Sequence, residues 1–172
     1  MHIRQLTADD AQVYWELRLF ALRESTTAFA SSYEEESAHP LEQRLARFQN
    51  EMIVPAEVNF ILGAFDEHGS LIGNVGLRRE QRIKLRHKAI VVGMYVAPEA
   101  RGQGVGRQLL VELLRQARAL DGLLKLDLYV TNDNLSAKGL YASLGFQSYG
   151  VEKDALRLGE QFIDDNLMSL IL

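Results

Sequence analysis

Val91 to Leu110 reads VVGMYVAPEARGQGVGRQLL, and the rest of the chain is arranged around it. Val91 to Val96 has the composition of a strand. Ala97-Pro98 ends it, and a glycine-rich turn opens directly into an amphipathic segment. Gly102, Gly104 and Gly106 fall within five residues. Glycine there permits positive φ and close approach of the backbone to a ligand, at an entropic cost an ordinary loop would seldom incur three times. A helix starting at this turn presents unpaired N–H groups and the positive end of its dipole, which together suit a phosphate.

Two common phosphate motifs are excluded. The chain contains no Gly-Lys-Ser or Gly-Lys-Thr, so the G-x-x-x-x-G-K-[ST] loop is absent. The G-x-G-x-x-G fingerprint fails as well, because its third glycine would fall at Arg107 or Leu109. A nucleotide or dinucleotide binder is thereby disfavoured.

What fits is R-x-x-G-x-G after a strand ending in Val-Ala-Pro, and a second segment further on, Asn132 to Phe146, NDNLSAKGLYASLGF. Together these resemble the coenzyme A loop and the N-x-x-A-x-x-x-Y-x-x-x-G-F segment of the GCN5-related N-acetyltransferases, the GNAT superfamily. Asn134, Ala137, Tyr141, Gly145 and Phe146 occupy every fixed position of the second motif. The resemblance covers about a third of the chain, and the flanking lengths suit one domain spanning residues 1–172.

Bulk properties bound the remaining classes. At 172 residues the chain has single-domain length and can bury a substantial core. A net charge of −4 disfavours non-specific binding to nucleic acid or to an anionic membrane. With no cysteine, disulfides, thiolate metal sites and a cysteine nucleophile are excluded. Asp9, Asp10 and Glu16 break up the first twenty residues, so no signal peptide is expected. No apolar run approaches the roughly 20 residues of a membrane span. The expected setting is soluble and cytoplasmic.

Along the chain, His2 to Leu6 reads as a short strand and Thr7 as a helix N-cap. Val13, Leu17, Phe20 and Ala21 predict an amphipathic helix over 11–23, with Trp15 packing at its edge. Ser25 to Glu36 is less regular. Its Glu34-Glu35-Glu36 run reads as a solvated acidic face, or as an attraction for a cationic amine. Leu41, Leu45 and Phe48 suggest a second helix, left through an extended stretch around Pro55. Val58 to Phe65 and Leu71 to Arg79 predict strands joined by a turn. Arg82 to Arg86 reads as a hairpin arm with one wet face, or as an arm touching substrate or the adenosine 3′-phosphate. Ala89 to Val96 is the organising strand, and Gly104 to Leu120 its helix, with Val105, Leu109, Leu113, Ala117 and Leu120 on one stripe. Leu123 to Thr131 is a strand, Ser136 to Leu144 a short helix closed by Gly145, and Phe146 to Val151 and Phe162 to Leu172 are closing strands.

Periodicity thus gives the order β-α-α-β-β-β-α-β-α-β-β, an α/β (α+β) chain. The resemblance implies its assembly: a mixed, mostly antiparallel sheet of about seven strands, helices on both faces, and a splay between the fourth and fifth strands. It also implies a reaction, transfer of acetyl from acetyl-CoA to a primary amine on a small molecule or peptide. No metal is called for. The backbone N–H groups of Gln103, Gly104, Val105, Gly106 and Arg107 would cradle the pyrophosphate, with Arg101 and Arg107 as added charge. Val96 would hold the pantetheine arm through its backbone, with Asn134 as a side-chain partner or as the cap of its helix. The Met94 N–H would face the thioester carbonyl, a placement worth roughly 3 to 4 kcal/mol.

By the same resemblance Tyr141 is the general acid toward sulfur. A phenol near pKa ~10 protonating a thiolate of pKa ~8.5 is uphill by about 2 kcal/mol. The sequence departs from the histone-type pattern at the base. Some members place a glutamate six residues before the position of Val96, where this chain has Ile90. Glu80, His87, Asp127 and a chain of waters remain as alternatives. Absence of cysteine rules out an acetyl-cysteine intermediate and leaves direct attack in a ternary complex. A second reading is a catalytically idle acetyl-CoA sensor or partner module. Such folds commonly pair, and the closing strands would support a homodimer.

Overall fold

A computed structural model describes residues 1–53 and 58–172. The stretch expected around Pro55 lies outside the described residues. Strand β1 (His2–Gln5) is followed by helices α1 (Ala11–Glu24), α2 (Tyr33–Ala38) and α3 (Leu41–Arg47). Strands β2 (Asn59–Phe65), β3 (Leu71–Arg79) and β4 (Lys88–Val96) lead to α4 (Val105–Ala119). Strand β5 (Lys125–Thr131), helix α5 (Leu135–Ser143) and strands β6 (Gln147–Leu158) and β7 (Gln161–Ile171) complete the chain. The first helical region therefore holds three helices where periodicity predicted two. The acidic run is the reason: Ser32 caps it through the Glu35 N–H at 3.1 Å, and Glu35 returns a bond to the Ser32 N–H at 3.0 Å.

The strands form one sheet in the order β1-β2-β3-β4-β5-β7-β6, antiparallel at every junction except β4–β5. Alternation along β2 sends Phe60, Leu62 and Ala64 into one apolar cluster with α4, and Ile61 and Phe65 into another with α1. Helices therefore cover both faces. On α4 the inward stripe is Val105, Leu109, Leu110, Leu113, Leu114 and Ala117, at the spacing a sheet-packed helix requires.

Two expectations are corrected by packing. The buried stripe of α1 is Ala11, Tyr14, Trp15, Leu17, Ala21 and Leu22, while Val13 and Phe20 are 40% and 50% exposed. Trp15 is fully inside, its indole N–H donating to the Arg44 carbonyl at 2.8 Å. Arg82 to Arg86 is a compact turn, with Ile83 80% exposed, and it builds no hairpin arm.

The parallel pairing of β4 with β5 covers only Lys88, Ala89 and Ile90 opposite Lys125, Leu126 and Asp127. Beyond Ile90 the strands part, and the opening faces α5 and the start of α4. A bulge sharpens the divergence: Asn74 pairs with Tyr95 but Gly76 with Val92, leaving Gly93 and Met94 opposite Val75. Gly93 has φ +61, and the buried Asn74 side chain donates to its carbonyl at 2.6 Å.

Candidate active site

Neighbouring strand residues direct their N–H and C=O to opposite sides. Since the Ala97 N–H bonds Ile72 on β3, Val96 turns its own N–H and C=O into the opening. The Val96 carbonyl accepts from Arg101 Nε at 3.0 Å, which leaves the N–H free. Met94, two residues earlier and the second residue of the bulge, stands on β4 where the two cavities meet.

At the mouth of the opening, Gly102 and Gly104 have φ +75 and +79, the left-handed region that an L side chain resists. Gly106 is helical, and its role is different. A Cβ there would stand 3.0 Å from Met94 Cε and 3.3 Å from Leu140 Cδ2. The third glycine thus lets the first turn of α4 close on β4 and α5, where the sequence suggested room for a ligand. From Gln103 to Arg107 no backbone N–H has a backbone partner among the described residues; the first to find one is Gln108, bonded to Gly104 O at 3.0 Å. Five adjacent donors at a helix start, on a turn folded by glycine, form an anion cradle.

The arginines divide. Arg101 chelates Glu24 through both terminal nitrogens at 3.0 and 2.7 Å, tying the loop to the end of α1. This pairing holds Glu24 down to about 2, chiefly through its hydrogen bond from Arg101. The Arg101 charge is therefore already partnered. Arg107 donates to Ser143 Oγ at 3.0 Å and lines the groove without a carboxylate. Gln103 bonds the Glu99 carbonyl through its side chain at 2.9 Å.

The groove, about 480 Å³, runs from this loop between Val96 and α5. Asn134 caps α5 by accepting the Ala137 N–H at 3.0 Å, so its amide nitrogen stays available. Tyr141, about two turns further on, is 6% exposed, packs edge-on against Phe146 at 5.9 Å, and is pushed up to about 12 by burial alone. Its hydroxyl has no partner among the described residues, although the ring lines both this groove and the next cavity. Burial strengthens its hold on the proton, so the gap to a thiolate of pKa ~8.5 widens to about 5 kcal/mol unless the same burial raises the thiol.

The second cavity, about 430 Å³, opens on the other side of Met94 and Tyr141. Phe29 and Ala28 form a shared wall. Its carboxylates, among the described residues, are Glu36 and Asp165. Glu36 is buried and held by Arg47 at 2.9 Å. Asp165 lies on β7 opposite Thr131, with Oδ1 buried and unpartnered. Burial, and then the negative charge of Glu152, push its carboxyl above the usual range.

None of the carboxylate or imidazole candidates read from sequence reaches either cavity. Glu80 and His87 line a separate groove beside Arg86 and Asp121, at the opposite end of β4 from the loop. Nine residues of strand put ~27 Å between those ends. Asp127 sits in the closed part of the β4–β5 junction, 2.8 Å from Lys125 Nζ. Ile90 does line the cavity, so the glutamate-bearing position is present but apolar. Sequence reading also missed Asn74 and the bulge, although a glycine inside a strand was the available signal. Glu24, Phe29 and Asp165 carried no local signal at all.

Comparison with known proteins accords with this geometry. The profile of the Acetyltransferase (GNAT) family matches residues 19–146. The chain is 36% identical over 114 residues to the N-alpha-acetyltransferase RimI of Mycobacterium tuberculosis, an alignment covering 66% of each protein. The structure superposes on an acetyltransferase of the GNAT family from Streptococcus pneumoniae with a TM-score of 0.85 and 26% identity, covering 99% of both chains. It superposes on a ribosomal-protein-alanine N-acetyltransferase from Brucella melitensis at 0.84 and 27%, over the full length of both. The chain belongs to the acetyltransferase (GNAT) family, and as a member of it is an acetyl-CoA-dependent N-acetyltransferase.

Proposed function

We propose that the protein acetylates a primary amine by direct attack in a ternary complex, with the two cavities meeting at Met94 and Tyr141. The observation that carries this reading is the row of five unpartnered N–H groups, Gln103 to Arg107, at the mouth of the splay. Acetyl-CoA supplies the activated acetyl group and a thiolate leaving group. The cradle binds its pyrophosphate, the Val96 N–H and the Asn134 amide hold the pantetheine arm, and Arg107 adds charge at the rim. Arg101 contributes by positioning, since Glu24 already neutralises it.

The Met94 N–H, fixed by the Asn74-buttressed bulge, stabilises the oxyanion that forms as the amine adds to the carbonyl. Tyr141, kept protonated by burial, delivers its proton to the departing sulfur. Asp165 takes the place of the bases considered from sequence. It is the cavity carboxylate that no arginine holds, and burial and the charge of Glu152 raise its affinity for a proton, which suits it to accept one from the ammonium. A covalent acetyl-enzyme is not needed, as the chain has no cysteine.

The test is calorimetric titration with acetyl-CoA followed, in the same sample, by free-thiol release against a panel of amines. Saturable binding and amine-dependent thiol release are expected. Binding without release for any amine would return the sensor reading, and no binding at millimolar acetyl-CoA would remove the assignment of the cradle.

A further inference from the structure

Helix α1 turns one arginine inward. Its buried positions are Ala11, Tyr14, Trp15, Leu17, Ala21 and Leu22. Half-buried Arg18 lies between Tyr14 and Ala21 or Leu22 at spacings of three and four, beside Leu17, where a helix serving only the core would carry an apolar residue. Its guanidinium stacks over the Phe29 ring, 4.5 Å from the centroid, and lines the 430 Å³ cavity. It has no hydrogen bond or ion pair among the described residues, whereas Arg47 in the same wall is taken by Glu36. Arg78 adds a second cation to the lining, likewise without an acidic partner among the described residues.

Charge decides what such a cavity selects. The Arg47–Glu36 pair cancels, leaving Arg18 and Arg78 against Asp165. A polyamine or aminoglycoside would bring cations toward uncompensated cations, so the acidic run at Glu34 to Glu36 does not draw one in. Glu36 is spent on Arg47, while Glu35 is folded back on Ser32. An inward guanidinium packed over an aromatic ring, with no ion pair among the described residues, offers a fork to a planar anion. Phe29 borders the acetyl-CoA groove as well, so that fork stands close to where the amine must react.

The geometry points to an acceptor that carries a carboxylate beside its amine, a free α-amino acid, with Arg18 as the residue that binds the carboxylate. This rests on the acetyl-transfer reading above and narrows it to a substrate class. Asp165, on the β7 side of the cavity, receives the ammonium end, so the two charges of the zwitterion meet opposite charges on different elements.

The test measures thiol release from acetyl-CoA with the twenty L-amino acids, each paired with its α-amide, and with tripeptides that have a free N-terminus and an amidated C-terminus. At least one amino acid is expected to exceed its amide about 30- to 100-fold in kcat/KM, the range of a charge-assisted bond to carboxylate. Arg18→Gln should collapse that ratio to near one through KM, and Arg18→Lys should restore part of it, since charge returns without the fork. Arg118→Gln, on the exposed side of α4, serves as the control and should leave the ratio intact. Equal rates for acid and amide, faster reaction of the amidated tripeptides, failure of every free amino acid, or an Arg18→Gln loss equal for both members of a pair would each overturn the inference. Thiol release with amides or tripeptides in those cases would leave the acetyltransferase reading standing. Absence of acetyl-CoA binding would strike that reading instead.

Discussion

The two cavities that meet at Met94 and Tyr141 are built on different principles. The groove proposed for acetyl-CoA is made of backbone: the N–H row from Gln103 to Arg107, the Val96 edge and the Met94 bulge. Its residues mainly shape the backbone, Gly104 through a φ of +79 open to a residue without a side chain and Asn74 through its side-chain bond to Gly93 O. The cavity proposed for the acceptor is made of side chains drawn from α1, α2, α3, β3, β4, β5, α5, β6, β7 and the segment before α2. Invariant chemistry calls for a backbone site, because no side chain substitution alters its donors. Variable chemistry calls for side chains, each of which can change alone. Substitutions in the first region should therefore erase cofactor binding, while those in the second should redirect or slow turnover with binding intact.

The largest effect should come from Gly106→Val. The added branches meet Met94 and Leu140 across the groove, and calorimetry should show acetyl-CoA affinity weakened at least about 100-fold, near 3 kcal/mol. If binding survives, the groove is not the cofactor site and the contrast fails. Next comes Tyr141→Phe, which removes one oxygen at the point both cavities share. Single-turnover kcat should fall by about 10² to 10³, with acetyl-CoA Kd changed less than threefold.

Asp165→Asn tests the acceptor side alone. It should lower kcat by about tenfold or more at pH 7, and remove the acidic limb of the pH–rate profile. Stability should move the other way. The folded state raises this carboxyl, so it binds the proton more tightly than the unfolded chain does. Its contribution is fully present below the unfolded pKa, near 3.9, and is lost as pH rises through the folded value. At neutral pH the ionised group is a liability, and the amide should raise Tm by about 1 °C or more.

The smallest effect belongs to Glu24→Gln, which loosens the loop without touching the cradle. Glu24 is depressed to about 2 by Arg101, so its support is present above the unfolded value near 4.3 and lost as pH falls toward 2. The pair is partly exposed, so Tm should drop by about 2 °C at pH 7 and by less at pH 3. Acetyl-CoA affinity should weaken by only about threefold.

The same contrast explains what could be read in the sequence. The cofactor loop was legible because its requirements are local: left-handed glycines, a helix start and a strand end, all within twenty residues. The placement of Tyr141 and Asn134 on the groove was legible for the same reason, both lying on one short segment whose spacing is fixed by a helix. The acceptor cavity was not, because Arg18, Glu36 and Asp165 meet only after the sheet has formed. On α1 the stripe was read through Val13 and Phe20, one step round the helix from the true inward face, and that displacement hid Arg18. In β6, the charges Glu152, Lys153 and Asp154 marked an apparent end at Val151. The strand continues to Leu158 across a bulge, where Lys153 bonds Asp164 at 2.7 Å and the Asp154 N–H bonds the same carboxylate at 3.1 Å. Hairpin pairing supported by charge leaves no apolar alternation to read.

Helix α1 ends on the carboxylate that grips the cofactor loop and carries, six residues earlier, the arginine that faces the acceptor. At ~1.5 Å per residue those two points are about 9 Å apart on one rod. The helix therefore serves as a strut between two ligands that touch it at different places. A displacement that acetyl-CoA imposed on the loop would reach Arg18 through this rod, and reciprocity would then hold: the factor by which the first substrate tightens the second equals the factor by which the second tightens the first. Synergy of that kind, carried by a single salt bridge, would favour the ternary complex without setting which substrate binds first.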